Sequence, residues 1–168
     1  YLRITDGIVT NGTGPGVCRG GIEWNGIEYR VMGTKLVSVS EAGVVAILGD
    51  VGGSGDVSLT YSFDYLAIAS DQKLWLYDGA SLAQVTDADL GVVLDVQWVD
   101  GYFMTTDGEN LVVTELTDPF SVNPLKYGSS EVDPDPVVGL VSLRNEIYAI
   151  NRHTIEVFRN IGGTTFPF

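Results

Sequence analysis

Apolar and polar residues alternate with a period of two over short stretches: Val57, Leu59, Tyr61 and Phe63 in one, Leu94, Val96 and Trp98 in another. Side chains spaced this way belong to half-buried β-strands, with one face on a core and one in solvent. No window keeps the 3.6-residue period of an amphipathic helix over eleven or more residues, so the pattern predicts an all-β chain. Turn signals punctuate it. Asn25-Gly26 and Asp100-Gly101 read as two-residue hairpin turns, because both central positions must tolerate a positive φ.

The pattern also repeats. Residues 24–39, 63–77, 99–114 and 143–158 align as a large apolar residue, a turn, a short apolar strand, a four-residue connection and a second strand. The connections are Met32-Gly33-Thr34-Lys35, Ser70-Asp71-Gln72-Lys73, Asp107-Gly108-Glu109-Asn110 and Asn151-Arg152-His153-Thr154. The second strands open at Leu36, Leu74, Leu111 and Ile155, at intervals of 38, 37 and 44 residues. The last interval absorbs the insert Val132-Asp133-Pro134-Asp135-Pro136, whose prolines cannot donate to a ladder and so leave the sheet. Weaker fourth strands are read at 44–48, 82–85 and 125–127, and none is evident in the fourth repeat.

Four strands in roughly 40 residues is the unit of a β-propeller blade. The expected fold is β-propeller-like, with about four antiparallel blades near 17–50, 56–87, 92–128 and 136–163 in an incomplete arc. A β-sandwich is the alternative. Tyr1 in place of a methionine, and the apolar ending Phe166-Pro167-Phe168, are read as signs of a fragment of a longer chain.

Composition narrows the function. Hydrophobic residues make up 45% of the 168, enough for a packed core. No apolar stretch reaches the roughly 18 residues that span a bilayer. A formal net charge of −13 repels phosphate, so the surface suits a solvated shell, a non-stick wall beside DNA, or a complement to a basic partner. The lone Cys18 flanks an apolar strand and is expected to be a buried, inert thiol.

Candidate chemistry is sparse. His153 is the only histidine, and Thr34, Gln72 and Glu109 take its place in the other repeats, so it reads as a solvated turn residue rather than a catalytic base. Asp87-Ala88-Asp89, Asp107-Gly108-Glu109-Asn110 and Asp133-Pro134-Asp135 offer oxygens to a cation, but none has a calcium-loop spacing. Gly52-Gly53-Ser54-Gly55 lacks the lysine and helix of a phosphate loop and is expected to be a flexible inter-blade connection. No catalytic residue, cofactor or metal site is expected. Trp24 and Trp98 hold matched places and should pack between sheets, whereas Trp75 has the opposite parity to Leu74 and Leu76 and should face outward. Trp75, Tyr77, Phe166 and Phe168 are the candidate interface residues.

Particular strings go beyond the repeat. Arg19-Gly20-Gly21-Ile22-Glu23-Trp24-Asn25-Gly26, Tyr29-Arg30-Val31-Met32-Gly33, Lys35-Leu36 and Gly53-Ser54-Gly55-Asp56-Val57-Ser58 form one group. Arg144-Asn145-Glu146-Ile147-Tyr148, Thr154-Ile155-Glu156-Val157-Phe158, Gly162-Gly163 and Phe166-Pro167-Phe168 form a second. Together they resemble the packaged DNA stabilisation proteins, or tail accessory factors, of short-tailed bacteriophages. The resemblance implies a non-catalytic virion protein, made in the host bacterial cytoplasm. Several copies, as a hexamer, would form a ring below the portal and its adaptor. That ring would extend and help close the DNA channel and support the needle and spikes, with packaged DNA passing unbound and no membrane involved. The competing readings are a carbohydrate- or ligand-binding propeller using Trp75 and Tyr77 over a cavity, and a propeller hydrolase.

Overall fold

The protein is seen here as a computed structural model, which describes residues 12–131 and 135–168. Tyr1 and the Val132, Asp133 and Pro134 of the insert lie outside the described residues. Four antiparallel sheets follow one another along the chain. The first contains β1 (Cys18–Trp24), β2 (Ile27–Met32), β3 (Lys35–Val39) and β4 (Val45–Asp50). The second contains β5 (Ser58–Tyr61), β6 (Leu66–Ser70), β7 (Lys73–Tyr77) and β8 (Leu82–Gln84). The third contains β9 (Asp95–Val99), β10 (Tyr102–Thr106), β11 (Asn110–Thr114) and β12 (Val122–Ser129). The fourth has three strands, β13 (Val137–Leu143), β14 (Glu146–Asn151) and β15 (Ile155–Arg159). Each sheet is a meander in sequence order, as hairpin-sized connections require.

The turns decide strand lengths. Asn25-Gly26 and Asp100-Gly101 adopt positive φ at both positions, matching the hairpin chemistry read from the sequence. Arg144-Asn145 and Asp71-Gln72 do the same without a glycine, with φ near 50–60°. The four-residue connections need correction in the first two repeats. Met32 pairs with Lys35 and Ser70 with Lys73, which leaves two-residue turns there. The strand expected to run through Phe63 stops at Tyr61, which pairs with Leu66. Ser62-Phe63-Asp64-Tyr65 forms a longer loop instead, closed by the Ser62 amide donating to the Tyr65 carbonyl.

Three apolar clusters lie between successive sheets. Trp24, Tyr29, Val31 and Leu36 of the first sheet meet Leu66, Ile68 and Tyr77 of the second. From the other face of the second, Ala67, Ala69, Leu74 and Leu76 meet Val96 and Phe103 of the third. Met104, Leu111 and Val113 meet Leu140, Ile147 and Ala149 of the fourth. Each fully buried aliphatic side chain contributes about 1.5–3 kcal/mol, so these layers hold most of the stability. Trp24 and Trp98 both serve this inter-sheet packing.

The innermost strands β1, β5, β9 and β13 stand side by side, and side-chain hydrogen bonds occupy the edges left free by their own sheets. The Val96 amide donates to Ser58 Oγ at 3.4 Å and the Trp98 amide to Thr60 Oγ1 at 3.2 Å, both across 38 residues of sequence. The Leu140 amide donates to Asp95 Oδ2 at 2.6 Å across 45. The result is an open arc of blades.

One repeat position near the start of the third strand of each sheet records this arrangement. Leu36, Leu74 and Leu111 are 0% exposed beneath the following sheet, whereas Ile155, with no following sheet among the described residues, is 63% exposed. Leu111→Ala is therefore expected to cost about 2–5 kcal/mol in a denaturant-unfolding measurement. Ile155→Ala, at the same repeat position, should cost less than about 1 kcal/mol.

Candidate interaction surfaces

One sequence expectation reverses at the glycine-rich segment. Residues 52–55 wrap the Arg19 guanidinium, which donates to the carbonyls of Gly33 (2.9 Å), Gly52 (2.7 Å) and Gly55 and to Ser70 Oγ (2.9 Å). Ser70, itself buried, passes a further hydrogen bond to the Gly52 carbonyl. Gly53 sits at φ 73°, and a Cβ there would stand 2.9 Å from Arg19 Nη2 and 3.2 Å from the Asp71 side chain. The segment is an ordered cradle for a cation, built from carbonyls, and it locks the first sheet to the second. Nothing in composition pointed to Arg19. The signal was its place opposite a run of residues whose carbonyls were free to turn inward.

On the axis side, Gly20, Gly21, Asp56, Ser58, Asp95, Gln97 and Val138 line a groove of about 500 Å³ contributed by all four sheets. Its charged side chains are carboxylates only. Elsewhere five cations are spent on carboxylates: Arg30 on Glu28, Lys35 on Asp50, Lys73 on Asp71, Lys126 on Glu115 and Arg159 on Glu146. With Arg19 also engaged, six of the eight described lysines and arginines are held by acceptors of the chain itself.

The acidic loops use their own oxygens. Asp107 Oδ1 accepts from the Glu109 amide (2.8 Å) and the Asn110 amide (2.7 Å), and Oδ2 from Asn110 Nδ2 (3.0 Å). Burial pushes this carboxyl up, but the Asn110 and Glu109 donors outweigh it and hold it below its ordinary value. Asp87 is lowered by the Val122 and Asp89 amides, tying the third sheet to the linker before it. Among the described residues no three His, Cys, Asp or Glu side chains gather as metal ligands. His153 lies exposed in its turn, with its amide bonded to Asp135. Cys18 is exposed rather than buried, because it opens β1 where the strand edge has not yet entered the core.

Of the four candidate interface residues, Tyr77 is buried and Trp75, Phe166 and Phe168 are partly buried. Tyr77 is 5% exposed, packed between Trp24 and Tyr29, so it cannot form an outward aromatic pair with Trp75. Trp75 is half-buried against the first sheet, because the face opposite Leu74 is covered too, and its Nε1 is buried without an acceptor among the described residues. Phe166 packs on Phe158 and over Gly128, and Phe168 meets Tyr102 edge-on, so both rings finish the third cluster.

Two other surfaces are exposed instead. The forward face of the fourth sheet presents Val141, Leu143, Ile155 and Val157, all about half exposed or more. The same face carries the Glu146–Arg159 ion pair beside Leu143. The rear face of the first sheet is charged as well. It carries the Glu28–Arg30 ion pair where the following sheets bury Leu66 and Ile68, Phe103 and Thr105, and Ile147 and Ala149. The second surface is aromatic. Phe63, 86% exposed, stands over Trp98 at 5.8 Å with their planes at 83°.

Comparison with known proteins adds a lineage. The family model Phage_stabilise, described as bacteriophage P22 Gp10, β-propeller, matches residues 1–168. The tail hub protein gp10 of Salmonella phage P22 is 32% identical over 183 aligned positions, covering 98% of this chain and 37% of the relative. The chain thus spans little more than a third of the length of the curated relative it matches. Among solved structures, the computationally designed Ika4 protein superposes with a TM-score of 0.63 at 11% identity, over 90% of this chain and 98% of that one. BamB from Moraxella catarrhalis gives 0.63 at 9% identity, over 85% of this chain and 44% of that one. These two likenesses concern the fold alone.

Arg19→Lys removes the planar fork that reaches three carbonyls and a hydroxyl at once. It is expected to lower unfolding free energy by about 2–3 kcal/mol in a denaturant titration and to speed amide exchange in residues 52–55.

Proposed function

The chain belongs to the Phage_stabilise family, the β-propeller family of bacteriophage P22 Gp10, and from that membership we propose that it forms part of a structural ring in a phage tail. In this reading several copies of the full protein, as a hexamer, sit below the portal and its adaptor, extend the DNA channel, and help hold packaged DNA in place. Needle or spike proteins attach to the same ring. The carrying observation is the 32% identity to a tail hub protein along 98% of the chain.

Physical features support the reading. A passage for DNA must not bind it, and a net charge of −13 gives a surface from which phosphates are repelled. Hydrogen bonds between the inner strands tie successive sheets together, as the wall of a tube requires. The forward face of the fourth sheet fits a unit that continues. Its Ile155 and Val157 stand where earlier sheets bury Leu74 and Leu76, or Leu111 and Val113, under the next blade. We take the occupant of that face to be a further sheet of the same repeat within the longer protein.

Two experiments test this. The double substitution Ile155→Lys and Val157→Lys should leave the stability of the 168-residue chain within about 0.5 kcal/mol, since the face is bare there. In the longer protein the same change should destabilise by about 3 kcal/mol or more, because two charges would be buried unpaired. Equal effects in both would remove the further-sheet reading. For the tail role, the full-length protein is mixed with purified portal–adaptor complexes and DNA-filled capsids. Ring formation on the complex with retention of DNA is expected, and failure to bind it would end the tail-ring reading.

A further inference from the structure

Three of the four sheets join their first two strands by two-residue turns, at Asn25-Gly26, Asp100-Gly101 and Arg144-Asn145. The second sheet alone among these uses four residues, Ser62-Phe63-Asp64-Tyr65, and lifts an aromatic ring into solvent. That ring is a fin between two clefts. One, of about 620 Å³, is lined by Asp64, Asp78, Trp98, Leu116 and Pro119. The other, of about 370 Å³, is lined by Glu23, Trp24, Asn25, Tyr61 and the same Trp98.

Leaving a phenylalanine so exposed costs favourable burial, and nothing in the repeat requires it. The ring does not complete a core cluster, because Trp98 already packs on the layer between the second and third sheets. The charged groups lining both clefts are Glu23, Asp64 and Asp78, with no lysine or arginine among them. Asp78 is saturated by the Ser81 and Ala80 amides and the Ser81 hydroxyl, which lower its carboxyl. The Glu23 and Asp64 carboxylates have no such partners among the described residues.

We propose that the paired clefts around Phe63 are a docking site for a basic segment of a partner protein, whose arginine or lysine side chain is received against the Phe63 and Trp98 rings with Glu23 and Asp64 at either side. Cations are attracted to the faces of aromatic rings, most strongly to tryptophan, and arginine and aromatic residues dominate the centres of protein interfaces. Charge complementarity favours this occupant. An acidic lining on a protein of net charge −13 repels nucleic acid. A saccharide would want flat stacking platforms and mixed donors and acceptors, whereas these two rings meet nearly at right angles and both unpartnered carboxylates can only accept. The inference rests on the Phe63 loop and stands apart from the tail-ring reading.

The test uses the intact chain and amide NMR spectra. The probe is the pentapeptide Gly-Arg-Gly-Arg-Gly, compared with its citrulline counterpart, which keeps the shape and removes the charge. The arginine peptide is expected to shift the Trp98 indole N–H and the amides of residues 62–65 saturably, and the citrulline peptide to leave them in place. Phe63→Ala, at an exposed position, and the pair Glu23→Gln with Asp64→Asn should each weaken binding at least about fivefold. Unchanged thermal unfolding would show that these variants stay folded. Shifts spread over other acidic loops and indifferent to Phe63→Ala would overturn the site. Equal response to the two peptides, no saturable response, or binding only of a neutral oligosaccharide such as maltohexaose would each overturn it as well.

Discussion

A sheet of three or four short strands cannot stabilise itself in water, and the rest of this structure follows from that constraint. Each sheet has two faces of alternating side chains, and both become apolar wherever a neighbour is present to cover them. Leu74 and Ile68, on opposite faces of the second sheet, are both fully buried for this reason. Stability therefore resides between sheets rather than within them. The repeat is visible because every copy meets the same demand.

The inner strands face a second version of the problem. Their outward edges carry amides that no strand in their own sheet can accept. Ser58, Thr60 and Asp95 answer this by capping the amides of Val96, Trp98 and Leu140 on the next sheet. Arg19 works similarly on carbonyls, gathering those of a turn and a linker around one guanidinium. A buried donor or acceptor left unpaired costs about 1–3 kcal/mol, so these bonds set the distance and angle at which sheets pack. Asp95, one of the two carboxylates in the axis-side groove, is itself part of that scheme.

Where the repeat is broken, function becomes the better explanation. A two-residue turn would have sufficed after β5, yet a longer loop exposes Phe63 beside Trp98. The forward face of the fourth sheet breaks the pattern differently, since Ile155 and Val157 keep the repeat while no sheet among the described residues covers them. These surfaces call for different partners. One asks for a sheet of the same kind, the other for a cation on an extended segment.

Periodicity and turn chemistry were enough to establish an all-β chain, four copies and the hairpins at Asn25-Gly26 and Asp100-Gly101, because alternation and positive-φ residues act locally. The family too was legible, in strings dominated by core and turn residues. Exposure was not. Tyr77 and Trp75 looked available by parity, but parity assumes that one face of a strand is wet, and the inner sheets here are dry on both. Phe63 looked like a strand residue because alternation continues through it, and only the closed pairing of Tyr61 with Leu66 put it in a loop. Gly52-Gly53-Ser54-Gly55 looked flexible until Arg19, more than thirty residues away, was seen to fill it. The sequence by itself determined which segments extend and where they reverse. Which faces meet, which carbonyls converge and which rings stay in water were decided by tertiary structure, since burial depends on neighbours that local pattern does not name.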